Sequence, residues 1–131
     1  MNPFLSFAVV FIGGGLGSML RHAVGRASLV LLGPNFPYGT LAINVLGSFV
    51  MGLVAGWFAL RGQADQSVRL FLTTGVIGGF TTYSTFSLDA ALLWERGDAM
   101  STLLYVGGTL ALGFVGIFGG LLLMRLMLAS G

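Results

Sequence analysis

Charged side chains fall in a few short clusters of this 131-residue chain, and four long stretches between the clusters carry none. The uncharged stretches are residues 1–20, 27–60, 70–88 and 99–124. A helix needs about 20 mostly apolar residues to cross a bilayer, so these stretches predict four transmembrane helices. The predicted helices cover about 4–32, 39–60, 67–95 and 99–127. We therefore predict an all-α, multi-pass protein of the cell (inner or plasma) membrane, with one domain over 1–131.

The composition excludes several classes of function. Charged residues make up only 8% of the chain, whereas soluble domains carry roughly 25%. The chain has no cysteine and a single histidine, His22, which excludes disulfides, thiolate zinc sites and multi-histidine metal sites. The net charge of +2 comes from scattered arginines rather than a basic stripe, so nucleic acid is not an expected partner. The four helices leave no room for a catalytic domain, and we predict that the chain is not an enzyme.

The third predicted helix has an unusual composition in its middle. Three glycines (Gly75, Gly78 and Gly79) precede a run of hydroxyl-bearing residues, which are Thr81, Thr82, Tyr83, Ser84 and Thr85. Paired glycines and threonines are poor helix formers. Inside a membrane an interrupted helix is tolerated only where protein or a polar cavity surrounds it. We predict a break in mid-membrane, whose freed carbonyls can bind a monovalent cation; the alternative is a continuous, glycine-rich helix.

Polar and aromatic side chains on three predicted helices indicate a path for an ion. Beyond the predicted break, Tyr83 and Phe86 share one helix face, and their ring edges carry a positive partial charge. Asn44 lies in the middle of the second helix, and Tyr105 and Thr109 form a row on the fourth. Ring edges, hydroxyls and amides all favour an anion. Each aromatic taken alone fits core packing better than an ion contact, and only the several polar rows together indicate a path.

The ionisable residues bear on the mechanism. Arg21 continues the glycine row of Gly13 and Gly17 on the first helix. If that row faces protein, Arg21 points toward a vestibule and attracts anions; the alternative is that it reaches to the membrane interface. The uncharged stretches contain no carboxylate or histidine. Proton-coupled transporters normally use such a group at mid-depth, so passive permeation is favoured.

The charge distribution and the small-residue rows lead to a hypothesis about assembly. Arginines divide almost evenly between the two ends of the predicted bundle, so no orientation in the membrane is strongly favoured. We hypothesise that the chain inserts both ways and pairs as an antiparallel homodimer; the alternative is one weakly favoured orientation. Small-residue rows on three helices favour tight packing between helices. These rows pack either between subunits or only within one chain.

Three stretches resemble a known family, the fluoride channels called Fluc or CrcB. They are residues 13–21 (GGGLGSMLR), 38–47 (YGTLAINVLG) and 73–87 (TTGVIGGFTTYSTFS). Their order and spacing agree with the family over essentially the whole chain. The third stretch is the most specific.

The resemblance implies a dual-topology antiparallel homodimer with two fluoride pores. It also implies a structural sodium ion on the twofold axis, held by main-chain carbonyls at positions matching Gly78 and Thr81 of both subunits. The family's pore phenylalanines match Tyr83 and Phe86, its pore asparagine matches Asn44, and its helix 1 arginine matches Arg21. The remaining candidate pore residues are Thr82, Ser84, Thr85, Tyr105 and Thr109.

We therefore expect a passive, fluoride-selective channel that lets cytoplasmic fluoride leave the cell. Two alternatives remain at this point: a small dual-topology multidrug or cation antiporter, and a non-transporting membrane subunit. The antiporter would need a carboxylate in the first helix, which has none. Two positions depart from the family pattern, because Tyr83 stands where many members have phenylalanine and Asp89 stands where glutamate is common.

Overall fold

A computed structural model describes residues 1–62 and 65–130, and all regular structure in these ranges is helical. The helices are α1 (Pro3–Leu32), α2 (Tyr38–Arg61), α3 (Gln66–Leu70), α4 (Gly78–Phe80), α5 (Tyr83–Glu95) and α6 (Ala99–Ala129), and a π-helical segment (Phe71–Ile77) joins α3 to α4. Within the described residues, three helices are long and apolar enough to cross a membrane, namely α1, α2 and α6. We predicted a single domain over 1–131, and residues 63, 64 and 131 of it lie outside the described ranges.

The ends of the long helices follow from local sequence. Asn2 accepts a hydrogen bond from the Phe4 N–H at 2.8 Å, and Pro3 begins α1 where no N–H is needed. Gly33 (φ 80°) and Gly62 (φ 64°) end α1 and α2 in a backbone conformation that side-chain-bearing residues rarely adopt. Asp98 opens α6 by accepting from the Ser101 N–H at 3.0 Å. These ends lie close to the boundaries predicted from the sequence.

The helix over 66–95 is interrupted between α4 and α5. Thr81 (φ −81°, ψ 157°) and Thr82 (φ −151°, ψ 122°) are extended, so the predicted break is present. The glycines that contributed to its prediction are not the point of interruption, because Gly78 has helical angles and Gly79 lies within α4. The two threonines alone leave the helical conformation.

The glycines instead bring helices together. A β-carbon on Gly13 would lie 2.8 Å from the Phe71 carbonyl oxygen and 3.0 Å from the Gly75 α-carbon. A β-carbon on Gly17 would meet the backbone of Val76. Only glycine permits this approach between α1 and the π-helical segment. The row that continues to Arg21 therefore faces protein of the same chain.

A second close contact joins α2 to α6. A β-carbon on Gly52 would lie 3.1 Å from the Gly120 α-carbon, and one on Gly120 would lie 2.8 Å from the Leu53 nitrogen. In lipid, such small-residue contacts allow the close packing that holds helices together. These rows pack within one subunit, as the simpler of the two interpretations expected, and they give no evidence about assembly.

Adjacent glycines on α6 allow a matched test of this packing. Gly120→Ala should destabilise the protein by about 1–3 kcal/mol, because its β-carbon meets α2 backbone that has little room to move. Gly119→Ala should be neutral or stabilising, because nothing lies within 4 Å of its β-carbon and alanine favours a helix. Thermal unfolding in detergent measures both, and equal melting temperatures for the two variants would contradict the packing.

Candidate functional site

The side chain of Asn44 holds the extended backbone of the break. Its Nδ2 donates to the Thr82 carbonyl oxygen at 2.9 Å, and its Oδ1 accepts from the Thr82 N–H at 2.8 Å. The two hydrogen bonds fix which end of the amide is oxygen and which is nitrogen. Asn44 thus supplies both partners that Thr82 loses by leaving the helix.

Other side chains pair with further backbone groups at the break. Arg21 is half-buried, and its Nε donates to the Gly79 carbonyl at 3.1 Å. The Thr82 hydroxyl accepts from the Thr85 N–H at 3.2 Å and so caps α5. The Thr81 hydroxyl donates to the Ile77 carbonyl at 3.1 Å. The Gly79 carbonyl, both peptide groups of Thr82 and the Thr85 N–H are therefore paired with side chains predicted as site residues.

The break places helix ends of opposite polarity next to each other. The carbonyl end of α4 carries a partial negative charge, and the N–H end of α5 carries a partial positive charge. In a continuous helix the Thr82 N–H would bond to the Gly78 carbonyl, but here it bonds to Asn44. The Gly78 carbonyl therefore lacks its usual donor. The two ends can attract ions of opposite sign.

A cavity of about 410 Å³ lies beside the break, between the middles of α2 and α6, and we call it the central cavity. Its lining includes Asn44, Thr82, Tyr83, Phe86 and Thr109. The Thr109 hydroxyl is buried, and across residues 1–62 and 65–130 it has no hydrogen-bond partner. An unpaired buried hydroxyl is costly, so this group is suited to a polar occupant of the cavity.

A second cavity, the outer cavity, has a volume of about 710 Å³ and extends from the break toward the α1–α2 loop. It is lined by three arginines (Arg21, Arg26 and Arg96), by His22, and by the single carboxylate of Asp89. Thr82 lines both cavities, and Thr85 lines the outer one. The arginines make the outer cavity attractive to anions.

Tyr105, on α6, contacts residues of both cavities, including Asp89 and Phe86. Its side chain is fully buried, and its hydroxyl donates to Asp89 Oδ2 at 3.2 Å. Its ring lies 5.2 Å from the ring of Phe86, which in turn lies 6.1 Å from that of Tyr83. The short side chain of Asp89 is long enough to reach Tyr105. Tyr105 lines neither cavity and instead packs behind Phe86.

The structure brings together most of the predicted site residues. The central cavity is bordered by Asn44, Thr81, Thr82, Tyr83, Phe86 and Thr109, and the outer cavity by Arg21 and Thr85. Gly78 borders neither cavity. Ser84 is exposed and borders neither. The sequence reasoning missed the loop residue Phe36, whose ring contacts Tyr105, because a single aromatic in a Pro-rich turn carries no periodic signal.

Taken together, three membrane-length helices and a polar interruption between two cavities define an all-helical, multi-pass membrane protein. Comparison with known proteins gives its family. The family model described as CrcB-like protein, Camphor Resistance (CrcB), matches residues 8–121, and the chain belongs to this family.

Curated relatives cover nearly the whole chain. A protein of Rhodopseudomonas palustris (strain BisB5), named fluoride-specific ion channel FluC, is 55% identical over 92% of this chain and 98% of its own length. A protein of Methylobacterium nodulans with the same name is 54% identical over 92% of this chain and 97% of its own length. The relatives are named as channels, which confirms the predictions that the chain belongs to the Fluc/CrcB family, lies in the cell membrane and is not an enzyme.

The role of Asn44 can be tested by an isosteric change. Asn44→Asp should lower stability by about 1–3 kcal/mol, because a carboxylate has no N–H to donate and faces the Thr82 carbonyl with like polarity. Thermal unfolding, together with faster hydrogen exchange at Thr82, measures the effect. Asn35→Asp makes the same change at an exposed loop position and should leave both readings near wild type. A wild-type melting temperature for Asn44→Asp would show that the break does not depend on this side chain.

Proposed function

We propose that the chain is a passive, fluoride-selective channel that lets cytoplasmic fluoride leave the cell. The observation that carries the proposal is the locked Asn44 amide beside the break. Asn44 uses one Nδ2 hydrogen on the Thr82 carbonyl and its Oδ1 on the Thr82 N–H, so its second Nδ2 hydrogen remains available as a donor to an anion. The relatives, by name fluoride-specific ion channels, give the identity of the anion.

Fluoride is small and holds its water tightly, so a selective path must replace that water with several close donors. The central cavity offers the Asn44 amide, the hydroxyls of Thr82 and Thr109, and the rings of Tyr83 and Phe86. Ring edges carry a positive partial charge and can therefore contact an anion. Their C–H groups are not acidic, so they cannot transfer a proton to fluoride. The cavity lining includes no arginine or lysine, which would hold the anion too firmly for it to leave.

The outer cavity complements this lining. Arg21 and its neighbouring arginines raise the local concentration of anions, while the Arg21 guanidinium remains tied to the Gly79 carbonyl. The antiporter alternative has no support from α1, because Pro3–Leu32 contains no carboxylate to carry a coupling proton. Passive flow down the fluoride gradient is therefore the mechanism that the residues favour.

We further propose four membrane spans per subunit and an antiparallel homodimer of inverted copies. The interrupted helix over 66–95 is the additional span, since α1, α2 and α6 are the continuous ones. The Tyr83 ring, which the resemblance to the family implies is a pore residue, is 81% exposed in one subunit. A second copy against this face would close the open side of the central cavity.

A structural sodium ion is part of the same proposal. Sodium prefers oxygen ligands, and main-chain carbonyls hold it without adding charge. The Gly78 carbonyl lacks its usual helical donor and Thr81 is extended, so both positions suit a cation shared by two subunits. When bound, the ion would offset the negative end of α4; it is not transported.

Fluoride efflux from liposomes tests the channel assignment. Purified wild-type protein should release trapped fluoride rapidly and chloride far more slowly. Phe86→Ile should reduce fluoride efflux by about tenfold or more, which corresponds to about 1.4 kcal/mol, because the ring edge at the cavity is lost. Phe118→Ile, at a position 65% exposed on α6, is the matched control and should conduct normally. Equal efflux of fluoride and chloride from wild-type liposomes would refute fluoride selectivity.

The absence of cysteine makes the orientation directly measurable. A single Ser130→Cys change near the end of the chain should react with a membrane-impermeant maleimide on about half of the chains in intact cells, because neither orientation is favoured. Permeabilised cells, where all chains should react, provide the reference. Labelling of nearly all or nearly none in intact cells would establish one orientation and exclude the antiparallel pair.

Removal of sodium tests the structural ion. The melting temperature in detergent should rise with sodium concentration, since a ligand that binds only the folded protein stabilises it. Choline at equal ionic strength serves as the control and should give no such rise. Identical melting temperatures across the sodium and choline series would argue against a bound sodium ion.

A further inference from the structure

Five aromatic rings form a continuous series from the α1–α2 loop to the break. The Tyr38 and Phe36 ring centroids lie 4.9 Å apart, and Phe36 meets Tyr105 edge to face at 5.6 Å with an interplanar angle of 89°. Tyr105 then contacts Phe86 at 5.2 Å, and Phe86 contacts Tyr83 at 6.1 Å. All four spacings fall within the range of favourable aromatic pairs. The loop is thereby connected to the rings of the central cavity.

The loop end of this series is fixed in place. Arg96, in the turn before α6, donates through Nη2 to the Asn35 carbonyl at 2.9 Å and forms an ion pair with Asp98 at 3.3 Å. Hydrogen bonds from Ser101 and the pairing with Arg96 hold the pKa of Asp98 below its usual value, so the carboxylate stays charged. Phe36 follows Asn35 directly and borders the outer cavity. A neighbouring turn thus holds the loop that carries the Phe36 ring.

Tyr105 is held from two directions. Asp89 accepts a hydrogen bond from the Tyr105 hydroxyl, and the rings of Phe36 and Tyr105 make an edge-to-face contact. Phe86 packs on the same ring, so the tilt of Phe86 in the central cavity depends on where Tyr105 lies. Without Phe36, Tyr105 would keep its hydrogen bond to Asp89 but lose its edge-to-face contact with the loop.

We propose that Phe36 is a positioning residue for ion conduction: through Tyr105 it sets the tilt of Phe86 and hence the conductance of the pore. The proposal rests on the channel function proposed above. Phe36 does not need to touch the ion, because its effect passes through two ring contacts. This assigns a specific task to a loop aromatic that lies outside the predicted transmembrane helices.

Single-channel recording in planar bilayers tests the proposal, because unitary conductance does not depend on how many channels fold. Phe36→Leu should lower the fluoride conductance by about threefold or more, the size expected for one aromatic contact. Phe36→Tyr retains the ring and should stay near wild type. Phe36→Met is a second variant without the ring, in case leucine impairs folding. Phe118→Leu removes an exposed ring from α6 and is the matched control.

Two results would overturn the proposal. One is a wild-type unitary conductance in Phe36→Leu or Phe36→Met, even if fewer channels are seen, because that would reveal a purely structural role. The other is an equal loss of conductance in Phe36→Tyr, because the ring would then not be the determinant. The channel assignment itself fails in a different way, since wild-type protein would then carry no fluoride current.

Discussion

The hydrogen bonding of two extended threonines within the bundle is the constraint on which the rest of this structure depends. Away from water, each unpaired peptide group costs free energy, so an interrupted helix needs replacement partners close by. Asn44 supplies both partners of Thr82, and Arg21 pairs with the Gly79 carbonyl. The same side chains border the two cavities. The side chains that stabilise the break are therefore also those that an ion in either cavity would contact.

Close packing around the break depends on several of the chain's glycines. Asn44 reaches Thr82 because α2 lies near the interrupted helix, where the Thr81 methyl group meets Gly47. Arg21 reaches Gly79 because Gly13 and Gly17 bring α1 against the π-helical segment. A β-carbon at any of these glycines would separate the helices and lengthen the polar contacts. The glycines act on the site indirectly, by setting distances between helices.

The sequence predicted the helices and the region of the break well, because charge-free length and poor helix formers are local signals. Within the glycine- and threonine-rich stretch, it did not predict which residues leave the helix. Gly78 stays helical, and Thr81 and Thr82 are the extended residues. Which residue leaves the helix depends on a partner such as Asn44, 38 positions away. The contact between Phe36 and Tyr105 joins residues even farther apart in sequence, and no periodic pattern reports it.

The break also explains how one interruption can serve ions of opposite charge. The carbonyl end of α4 and the N–H end of α5 lie next to each other, because α4 ends at Phe80 and α5 begins at Tyr83. The carbonyl end suits a cation, and the N–H end together with the Asn44 amide suits an anion. An arginine or lysine in the central cavity would hold an anion too firmly, whereas helix ends, amides and ring edges carry only partial charges. In the proposed channel, weak and numerous donors would therefore reconcile selectivity with rapid release, and Arg21 would attract anions from the outer cavity while bound to the backbone.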